Sequence, residues 1–324
     1  MNYRHIYHAG NFADVFKHCI LVMLMQSLAQ KDKAIFYLDT HAGIGLYDLN
    51  SKNAQKTREY ENGIARLYNL QGYSGCQKTQ AKVYPVMFLN GACGYQINYP
   101  DVINTYLQIV RAINNKKYAV DRIDVATAGT TSFPNFYPGS PYIIRSLLRS
   151  QDYMTIVEMH PEDVLVLKRE FQNDKRVSVH HLDGYQSMKA FLPPKSGRGL
   201  ILIDPAYEQK DEMQNIITAM QIALQRFPVG IYAIWYPIKD LEMIQRFYKD
   251  LKQLTAQNIL IAELSLSGKT DANLENGLTS CGMAIVNAPW QFEKKLKQVV
   301  TWLSNILASD LASKCSVRWL LHDR

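Results

Sequence analysis

The chain has 324 residues, of which 47% are hydrophobic and 20% charged, and this is long enough to bury one large α/β core or two smaller ones. Thirty-six Lys and Arg residues against 29 Asp and Glu give a net charge of +7, which favours a polyanionic partner such as nucleic acid. The five cysteines are odd in number and lack CxxC or Cys/His ligand spacing, so reduced thiols are favoured over a zinc site or a disulfide framework.

A helix is predicted near the N-terminus, over residues 11–30, with Asn11 as its N-cap. The preceding residues do not have the charged-then-apolar pattern of a signal peptide. The most apolar run of the helix, residues 19–25, is too short to cross a bilayer. The sequence therefore predicts a cytoplasmic protein.

Strand-like runs then alternate with helical segments. The runs cover residues 34–39, 154–158, 177–183, 200–204, 230–235, 258–263 and 283–287. Helical stretches such as 162–173 and 239–257 separate most of them. This alternation predicts an α/β fold with a doubly wound, seven-stranded, mostly parallel sheet. A Gly/Ser/Asn-rich connection without a clear helix joins the last two strands, so we expect these to pair antiparallel.

Residues 53–131 interrupt this rhythm between the first and second strands. Helical pieces at 59–70 and 101–114 lie among irregular stretches such as 126–132. A structureless loop of this length is unusual inside a compact domain. We therefore predict one domain formed by residues 1–52 and 132–324, with a mostly helical subdomain inserted at 53–131.

Three successive predicted strands end in an acid: Glu158, Asp183 and Asp204. Open α/β sheets bind ligands at the carboxyl ends of their strands, and nucleoside-binding sheets hold ribose hydroxyls with such an acid. Gly184, beside Asp183, would allow an adenine ring to approach. Each acid alone could be a solvated strand end, and Asp-Pro is a common turn starter. Together they predict a ligand site.

A glycine-containing loop follows the first strand, which ends at Asp39. Gly43 and Gly45 permit a tight turn and close approach of a ligand to the backbone. Asp48 occupies the third glycine position of the GxGxxG fingerprint, and no GxxxxGK[ST] occurs. These departures disfavour a dehydrogenase and exclude a Walker phosphate loop.

The predicted helix at 142–149 is a further element that could contact a ligand. Ser140 is placed to be its N-cap and Pro141 to occupy its first helical position. That structural interpretation is sufficient by itself. A helix N-terminus also attracts carboxylates, so a ligand carboxylate could lie there.

These motifs together resemble the RlmJ family of 23S ribosomal RNA adenine-N6 methyltransferases. The resemblance is carried by the stretches at 3–11, 37–43, 137–141, 199–205 and 232–237, and it covers nearly the whole chain except most of 53–131. It implies a Rossmann-like S-adenosylmethionine methyltransferase fold, S-adenosylmethionine as cofactor, and one adenine in domain V of 23S ribosomal RNA as target. Neither a metal, a membrane nor a stable protein partner is implied.

The resemblance also implies roles for particular residues. The S-adenosylmethionine site would be lined by His18, His41, Ser140, Glu158, Asp183, Gly184 and Asp204. Tyr3, His5 and Lys17 would act near the target base. In the catalytic turn Asp204-Pro205-Ala206-Tyr207, the Asp204 carboxylate and the Pro205 carbonyl would each accept one hydrogen of the adenine amine, and Tyr207 would stack on the base. The target must leave its helix to reach them.

Two departures from the family pattern are visible. Ala206 stands where the family usually has a second proline, and residues 287–290 read Asn-Ala-Pro-Trp instead of Asn-Pro-Pro-Trp. The Pro205 carbonyl is retained, so no reacting group is missing. The alternatives are a DNA-adenine or protein-amide N-methyltransferase, and a non-catalytic RNA-binding relative.

Overall fold

The computed structural model describes residues 3–68, 99–115, 133–254, 257–267, 278–308 and 312–322, with the backbone of 86–87, 93–94 and 116–121. The helices are α1 (Phe12–Ala29), α2 (Lys52–Thr57), α3 (Ile64–Tyr68), α4 (Asp101–Asp121), α5 (Ser140–Leu147), α6 (Pro161–Phe171), α7 (Gly184–Phe191), α8 (Glu212–Arg226), α9 (Leu241–Leu254) and α10 (Phe292–Leu307). Short 3-10 helices span His5–Tyr7 and Glu59–Asn62. The strands are β1 (Phe36–Asp39), β2 (Leu46–Asp48), β3 (Val86–Met87), β4 (Cys93–Gly94), β5 (Phe136–Pro138), β6 (Tyr153–Glu158), β7 (Val177–His181), β8 (Gly199–Ile203), β9 (Ile231–Pro237), β10 (Ile259–Ser265), β11 (Ser280–Val286) and β12 (Lys314–Leu321).

The main sheet has the strand order β12-β10-β11-β9-β8-β1-β6-β7. Strands β7, β6, β1, β8 and β9 run parallel to one another, while β11 is antiparallel to both β9 and β10. The two remaining sheets are the strand pairs β2–β5 and β3–β4. The predicted α/β class, the mostly parallel sheet and the antiparallel pairing of β10 with β11 are confirmed.

The prediction of seven strands in the main sheet is wrong by one. All seven predicted strands are present, and β12 adds an eighth at the sheet edge, antiparallel to β10. Most residues of β12 are only half-buried, because an edge strand has a single neighbour in the sheet. Its sequence therefore lacks the strong apolar run that identifies the central strands.

Central strands β1 and β8 are buried on both faces, which explains their continuous apolar sequences. On one face the core includes residues of α1, α4, α5 and α10, and on the other it includes residues of α7, α8 and α9. With both faces covered, the carboxyl ends of β1, β6, β8 and β9 form an edge where loops can hold a ligand.

Helix α1 is buried on almost all sides, since α4, α5, α10 and β11 pack around it. Asn11 caps it as predicted, with its side chain accepting a hydrogen bond from the Asp14 amide at 3.0 Å. By length and composition, α1 is the one helix among the described residues that could cross a membrane. However, 83% of its apolar window is buried inside the protein, as in a core helix.

The described part of residues 53–131 is mostly helical and packs on the main domain. Tyr60, Ile64 and Tyr106 belong to the same hydrophobic cluster as α1. The Arg66 guanidinium donates to the carbonyls of Leu307 and Ala308 at the end of α10, at 2.9 and 2.8 Å. The predicted helical positions 69–70 and the predicted irregular stretch 126–132 lie outside the described residues.

Candidate active site

A cavity of about 500 Å³ opens at the carboxyl edge of the sheet. Ten of the twelve residues predicted for the site line it: Tyr3, His5, Lys17, His18, His41, Ser140, Glu158, Asp204, Pro205 and Tyr207. Asp183 and Gly184 are not among its lining residues. Three parts of the chain thus meet at this cavity: the N-terminal segment (residues 3–11), α1, and the ends of β1, β6, β8 and β9.

An ion-pair network crosses the floor of this cavity. The Lys17 ammonium lies 2.5 Å from Oδ2 of Asp204 and 2.8 Å from Oδ1 of Asp14. Burial alone would lower the pKa of Lys17, but the two carboxylates outweigh burial and raise it above its ordinary value. Lys17 is therefore a permanent cation that fixes Asp204 in place.

Asp14 connects this network to the N-terminal segment. Its Oδ2 accepts hydrogen bonds from Nε2 of His5 at 2.8 Å and from the Gly10 amide at 2.9 Å. The Tyr3 hydroxyl meets Nδ1 of His5 at 2.8 Å. Burial opposes ionisation of Asp14, but the neighbouring His5 and Lys17 hold its pKa well below the ordinary value. Burial, followed by the charge of Asp204, raises the pKa of Tyr3, so this phenol keeps its proton.

Two further anchors hold the N-terminal segment over the cavity. On one side Arg4 pairs with Glu162 and Asp163 at the start of α6, at 2.5 and 2.6 Å. On the other side, Glu59 accepts from His8 at 2.9 Å and from Asn11 at 3.0 Å. The hydrogen bond to Glu59 raises the pKa of His8. The segment is thus fastened both to α6 and to the inserted residues.

The turn after β8 has an unusual backbone. Tyr207 has a φ of 52°, in the left-handed region that non-glycine residues rarely adopt. Its hydroxyl donates to the Trp235 carbonyl at 2.6 Å, and the two rings meet edge to face with centroids 5.7 Å apart. Such local strain persists only where surrounding contacts enforce it, and it concentrates at functional sites. Tyr207 is accordingly fixed beside Asp204 and Pro205.

The acid at the end of β1 lies in a different environment. Asp39 is completely buried, and its carboxylate accepts from the Tyr37 hydroxyl at 2.9 Å and from the His41 amide at 3.3 Å. Burial raises the pKa of Asp39 to about 6, although hydrogen bonds from Ser140 and Tyr37 oppose the rise.

Ser140 does not have the predicted capping role. Gly139 is the N-cap of α5, and Ser140 is already its first helical residue, so the predicted boundary is wrong by one position. The Ser140 side chain instead opposes the rise in the pKa of Asp39. Pro141 is the second helical residue and not the first, so its predicted position is also wrong by one.

Glu158, at the end of β6, is held by two backbone amides. Oε2 accepts from Gly43 at 2.8 Å, and Oε1 accepts from His160 at 2.7 Å. Burial raises the pKa of Glu158 above its ordinary value, although these amides oppose the rise. A carboxylate has about four acceptor sites, so Glu158 retains capacity for a ligand hydroxyl.

Two cavity-lining histidines are neutral. His18 bonds through Nδ1 to the Tyr137 hydroxyl at 2.7 Å, while its buried Nε2 has no hydrogen-bond partner among the described residues. Burial, followed by the charge of Lys17, holds the pKa of His18 well below its ordinary value. Burial lowers the pKa of His41 to about 4. The unpaired Nε2 of His18 indicates a missing polar partner, since buried polar groups are normally paired.

Asp183 and Gly184 lie behind His41. Asp183 caps α7 by accepting from the Gln186 amide at 2.9 Å. A side chain at Gly184 would start 2.4 Å from the Thr40 carbonyl and 2.7 Å from the His41 ring. Gly184 is therefore required for close packing against His41, and the cofactor contacts expected of both residues stay a prediction.

The cavity-lining residues that the sequence interpretation missed include Asp14, Glu59, Trp235 and Lys239. Asp14 could have been suspected from its spacing of three residues before Lys17, which places the two side chains on one helix face. Glu59 and Lys239 carry no such signal.

An open, mostly parallel sheet with acids at the ends of β1, β6 and β8, and with Asp-Pro-x-Tyr after β8, is typical of the S-adenosylmethionine-dependent N-methyltransferase class. Comparison with known proteins identifies the family. Residues 32–83 and 93–321 match the family model described as "Ribosomal RNA large subunit methyltransferase D, RlmJ". The chain belongs to this family.

Individual relatives are similar to this chain over almost its full length. The chain is 36% identical over 321 residues to ribosomal RNA large subunit methyltransferase J of Escherichia coli, and 35% identical over 320 residues to the protein of that name from Haemophilus influenzae. Each match covers 99% of both chains. A crystal structure of a Legionella pneumophila protein is similar with a TM-score of 0.75 at 32% identity, covering 96% of this chain and 98% of that one.

Proposed function

We propose that this protein transfers a methyl group from S-adenosylmethionine to N6 of an adenine in domain V of 23S ribosomal RNA. The observation that carries the proposal is the Asp204 carboxylate, which Lys17 holds through Oδ2 at 2.5 Å beside Pro205 and the fixed ring of Tyr207. Among the described residues no group donates to Oδ1 of Asp204. One carboxylate oxygen is therefore available to an amine.

The cofactor would occupy the part of the cavity between β1 and β6. Glu158 would accept from the ribose hydroxyls, and Nε2 of His18 would gain the polar partner that it lacks. His41 and Ser140 line the same space. When bound, S-adenosylmethionine supplies a methyl group activated by a positively charged sulfur. The unpaired Nε2 and the capacity left on Glu158 are the features of this chain that fit such a ligand.

The adenine would enter from the side of Tyr207. Asp204 and the Pro205 carbonyl accept one N6 hydrogen each, which turns the nitrogen lone pair away from the ring and toward the methyl group. As the methyl group passes from the cofactor sulfur, whose bond to it breaks, the nitrogen would become positively charged and would release one proton, which Asp204 is placed to accept. The negative charge of Asp204 stabilises this developing positive charge.

Lys17 and Tyr3 have supporting roles in this scheme. Both are protonated at neutral pH, so neither can act as a base. Lys17 orients Asp204 through the ion pair at 2.5 Å. Tyr3 and His5 close the N-terminal side of the cavity and shape the space for the base.

We further propose the domain organisation and cellular setting. Residues 53–131 form a mostly helical subdomain inserted in the domain of residues 1–52 and 132–324, and its Glu59 supports the N-terminal segment through His8 and Asn11. The enzyme acts in the cytoplasm, on ribosomal RNA that is free or in early assembly, because the target base must be able to leave its helix.

The decisive test is methylation of a 23S ribosomal RNA fragment by the purified protein, followed by mass spectrometry of its nucleosides. Parent protein should produce N6-methyladenine at one position, and Asp204→Ala should produce none. Ribosomal RNA from cells without the gene should lack the same modification. Methylation of a DNA strand of the same sequence in preference to RNA would contradict the proposal, as would unmodified RNA with a folded, cofactor-binding protein.

A further inference from the structure

The most exposed large apolar side chain among the described residues is Trp290, with 90% of its surface accessible. It follows β11, which is antiparallel to β9, with Val286 opposite Tyr232 near the start of β9. The cavity lies at the other end of β9, where Pro237 contributes to its lining. The seven residues of β9 separate the two places by roughly 23 Å at ~3.3 Å per residue. Trp290 is therefore remote from the proposed active site.

The turn that carries Trp290 is firmly anchored. Asn287 has a φ of 60° and donates through Nδ2 to the carbonyls of Pro228 and Gly230, at 2.8 and 2.6 Å. On the other side, Gln291 has a φ of 58° and Phe292 is buried. Two left-handed non-glycine residues thus flank an exposed indole. A segment held in this way presents the ring to solvent instead of folding it onto the core.

The surroundings of Trp290 are both apolar and positively charged. Val229, which is 68% exposed, lies between Pro228 and Gly230. The hydrogen bonds of Asn287 to these two residues connect their turn to the one that carries Trp290. The first turns of α10 carry exposed lysines at positions 294, 295 and 297. The acid of this stretch, Glu293, accepts a hydrogen bond from the Trp319 indole at 2.6 Å. The surface therefore combines an accessible aromatic ring with cations.

We propose that Trp290, with Lys294, Lys295 and Lys297, forms a second RNA-contact site that stacks on an unpaired base of the ribosomal RNA outside the target hairpin. The inference rests on the proposed function, which makes RNA the substrate. An aromatic ring offers a stacking platform to any splayed base, while lysines neutralise neighbouring phosphates. A protein partner would fit the indole and Val229, but it would gain less from three adjacent lysines.

The test compares two RNA substrates. One is a short hairpin containing the target adenine, and the other is a fragment spanning domain V. Trp290→Ala should weaken binding of the long fragment about tenfold, within the range that stacking on one aromatic residue supplies. Trp290→Phe should retain most of the affinity. Both variants should bind S-adenosylhomocysteine and methylate the short hairpin as the parent does.

Tryptophan fluorescence gives an independent measurement. An unstructured oligouridine should quench the tryptophan fluorescence of the parent. In Trp290→Phe the three other tryptophans remain, but most of the quenching should be lost, because the fluorescent ring that stacks on the base is absent. The triple variant Lys294→Gln, Lys295→Gln, Lys297→Gln should reduce the salt dependence of long-fragment binding. Leu165→Ala with Lys168→Gln, which changes exposed residues of the same kinds on α6, is the matched control and should leave both signals unchanged.

Equal affinity of Trp290→Ala and parent for the long fragment would overturn the proposal. So would sedimentation showing that the parent self-associates without RNA and Trp290→Ala does not, since a second copy would then cover this surface. Failure of the parent to methylate the short hairpin would instead contradict the proposed function and leave the quenching experiment interpretable.

Discussion

Asp39 and Asp204 occupy equivalent places in the fold but have opposite environments. Both follow adjacent parallel strands, β1 and β8, at the same edge of the sheet. Asp39 is completely buried among neutral donors, and its pKa is raised to about 6. Asp204 lies in the cavity wall and pairs with the Lys17 ammonium at 2.5 Å.

The difference shows that strand-end position alone does not assign a chemical role. One carboxylate is closed off and supports the β1 loop through Tyr37 and His41. The other is held by a cation and keeps an oxygen directed to whatever enters the cavity. The cation, supplied by α1, is what separates the structural acid from the one that we propose to be reactive.

The largest effect is expected at Asp204. Asp204→Asn retains an acceptor oxygen but loses the charge that stabilises the amine, so turnover should fall by about 10²–10³-fold or more. Asp204→Ala should be inactive. Cofactor affinity should stay within a few-fold of the parent, because the interaction acts in the transition state. Single-turnover methylation of a short RNA hairpin, with cofactor titration of the same proteins, measures both. Equal rates for Asp204→Ala and parent would make Asp204 only a turn residue.

Removal of the cation should be costly for stability. Lys17→Met leaves two carboxylates facing each other, one of them the buried Asp14, and should lower the free energy of unfolding by about 3–5 kcal/mol. Urea denaturation at pH 7 measures the loss. Arg58→Met, which breaks the exposed pair with Glu61, is the control and should cost only a small fraction of that. Similar losses of unfolding free energy in the two variants would mean that the buried Lys17 network stabilises the fold no more than an exposed ion pair does.

Glu158 extends the comparison between Asp39 and Asp204, because it is the acid at the end of β6, the other neighbour of β1. Glu158→Ala should weaken S-adenosylmethionine binding by about 1.5–3 kcal/mol, as expected for hydrogen bonds to a charged group. Calorimetric titration measures this change, with circular dichroism to verify the fold, since Gly43 and His160 lose their acceptor. Unchanged affinity in a folded variant would move the ribose contact to another residue.

The smallest effect concerns the pH dependence of stability through Asp39. Its raised pKa means that, between pH ~4 and about 6, the folded protein keeps a proton that the unfolded chain releases. The free energy of unfolding contributed by Asp39 therefore falls as pH rises through this window. Asp39→Asn should remove this fall, so its advantage over the parent should grow by about 1–2 kcal/mol from pH 4 to pH 7. Parallel urea-stability profiles for the two proteins would contradict the assignment.

Much of the fold could be predicted because the central strands are buried on both faces and their sequences are continuously apolar. Edge strand β12 lacks this pattern and was missed. The boundary of α5 was wrong by one residue because Gly139 and Ser140 are both acceptable N-caps, and the sequence pattern does not decide between them.

The site likewise contains residues that could be predicted from the sequence and residues that could not. Two of the three strand-end acids, Glu158 and Asp204, could be placed together from the sequence, because the carboxyl ends of parallel strands share one edge. The third, Asp183, does not line the cavity. Tyr3, His5 and Lys17 required the family resemblance, since Lys17 and Asp204 are 187 residues apart in the chain. Asp14 was missed because an acid in the first turn of a helix usually needs no further explanation.

The burial of α1 has a consequence for how the protein is made. This helix is buried on nearly all sides and is synthesised before α10, which helps to cover it and begins about 260 residues later. At about 5–20 residues per second, a translating ribosome needs roughly 13–50 s to cover that distance. During this time the nascent chain displays a segment as apolar as a membrane span. We expect the growing chain to depend on ribosome-associated chaperones until the last helix emerges.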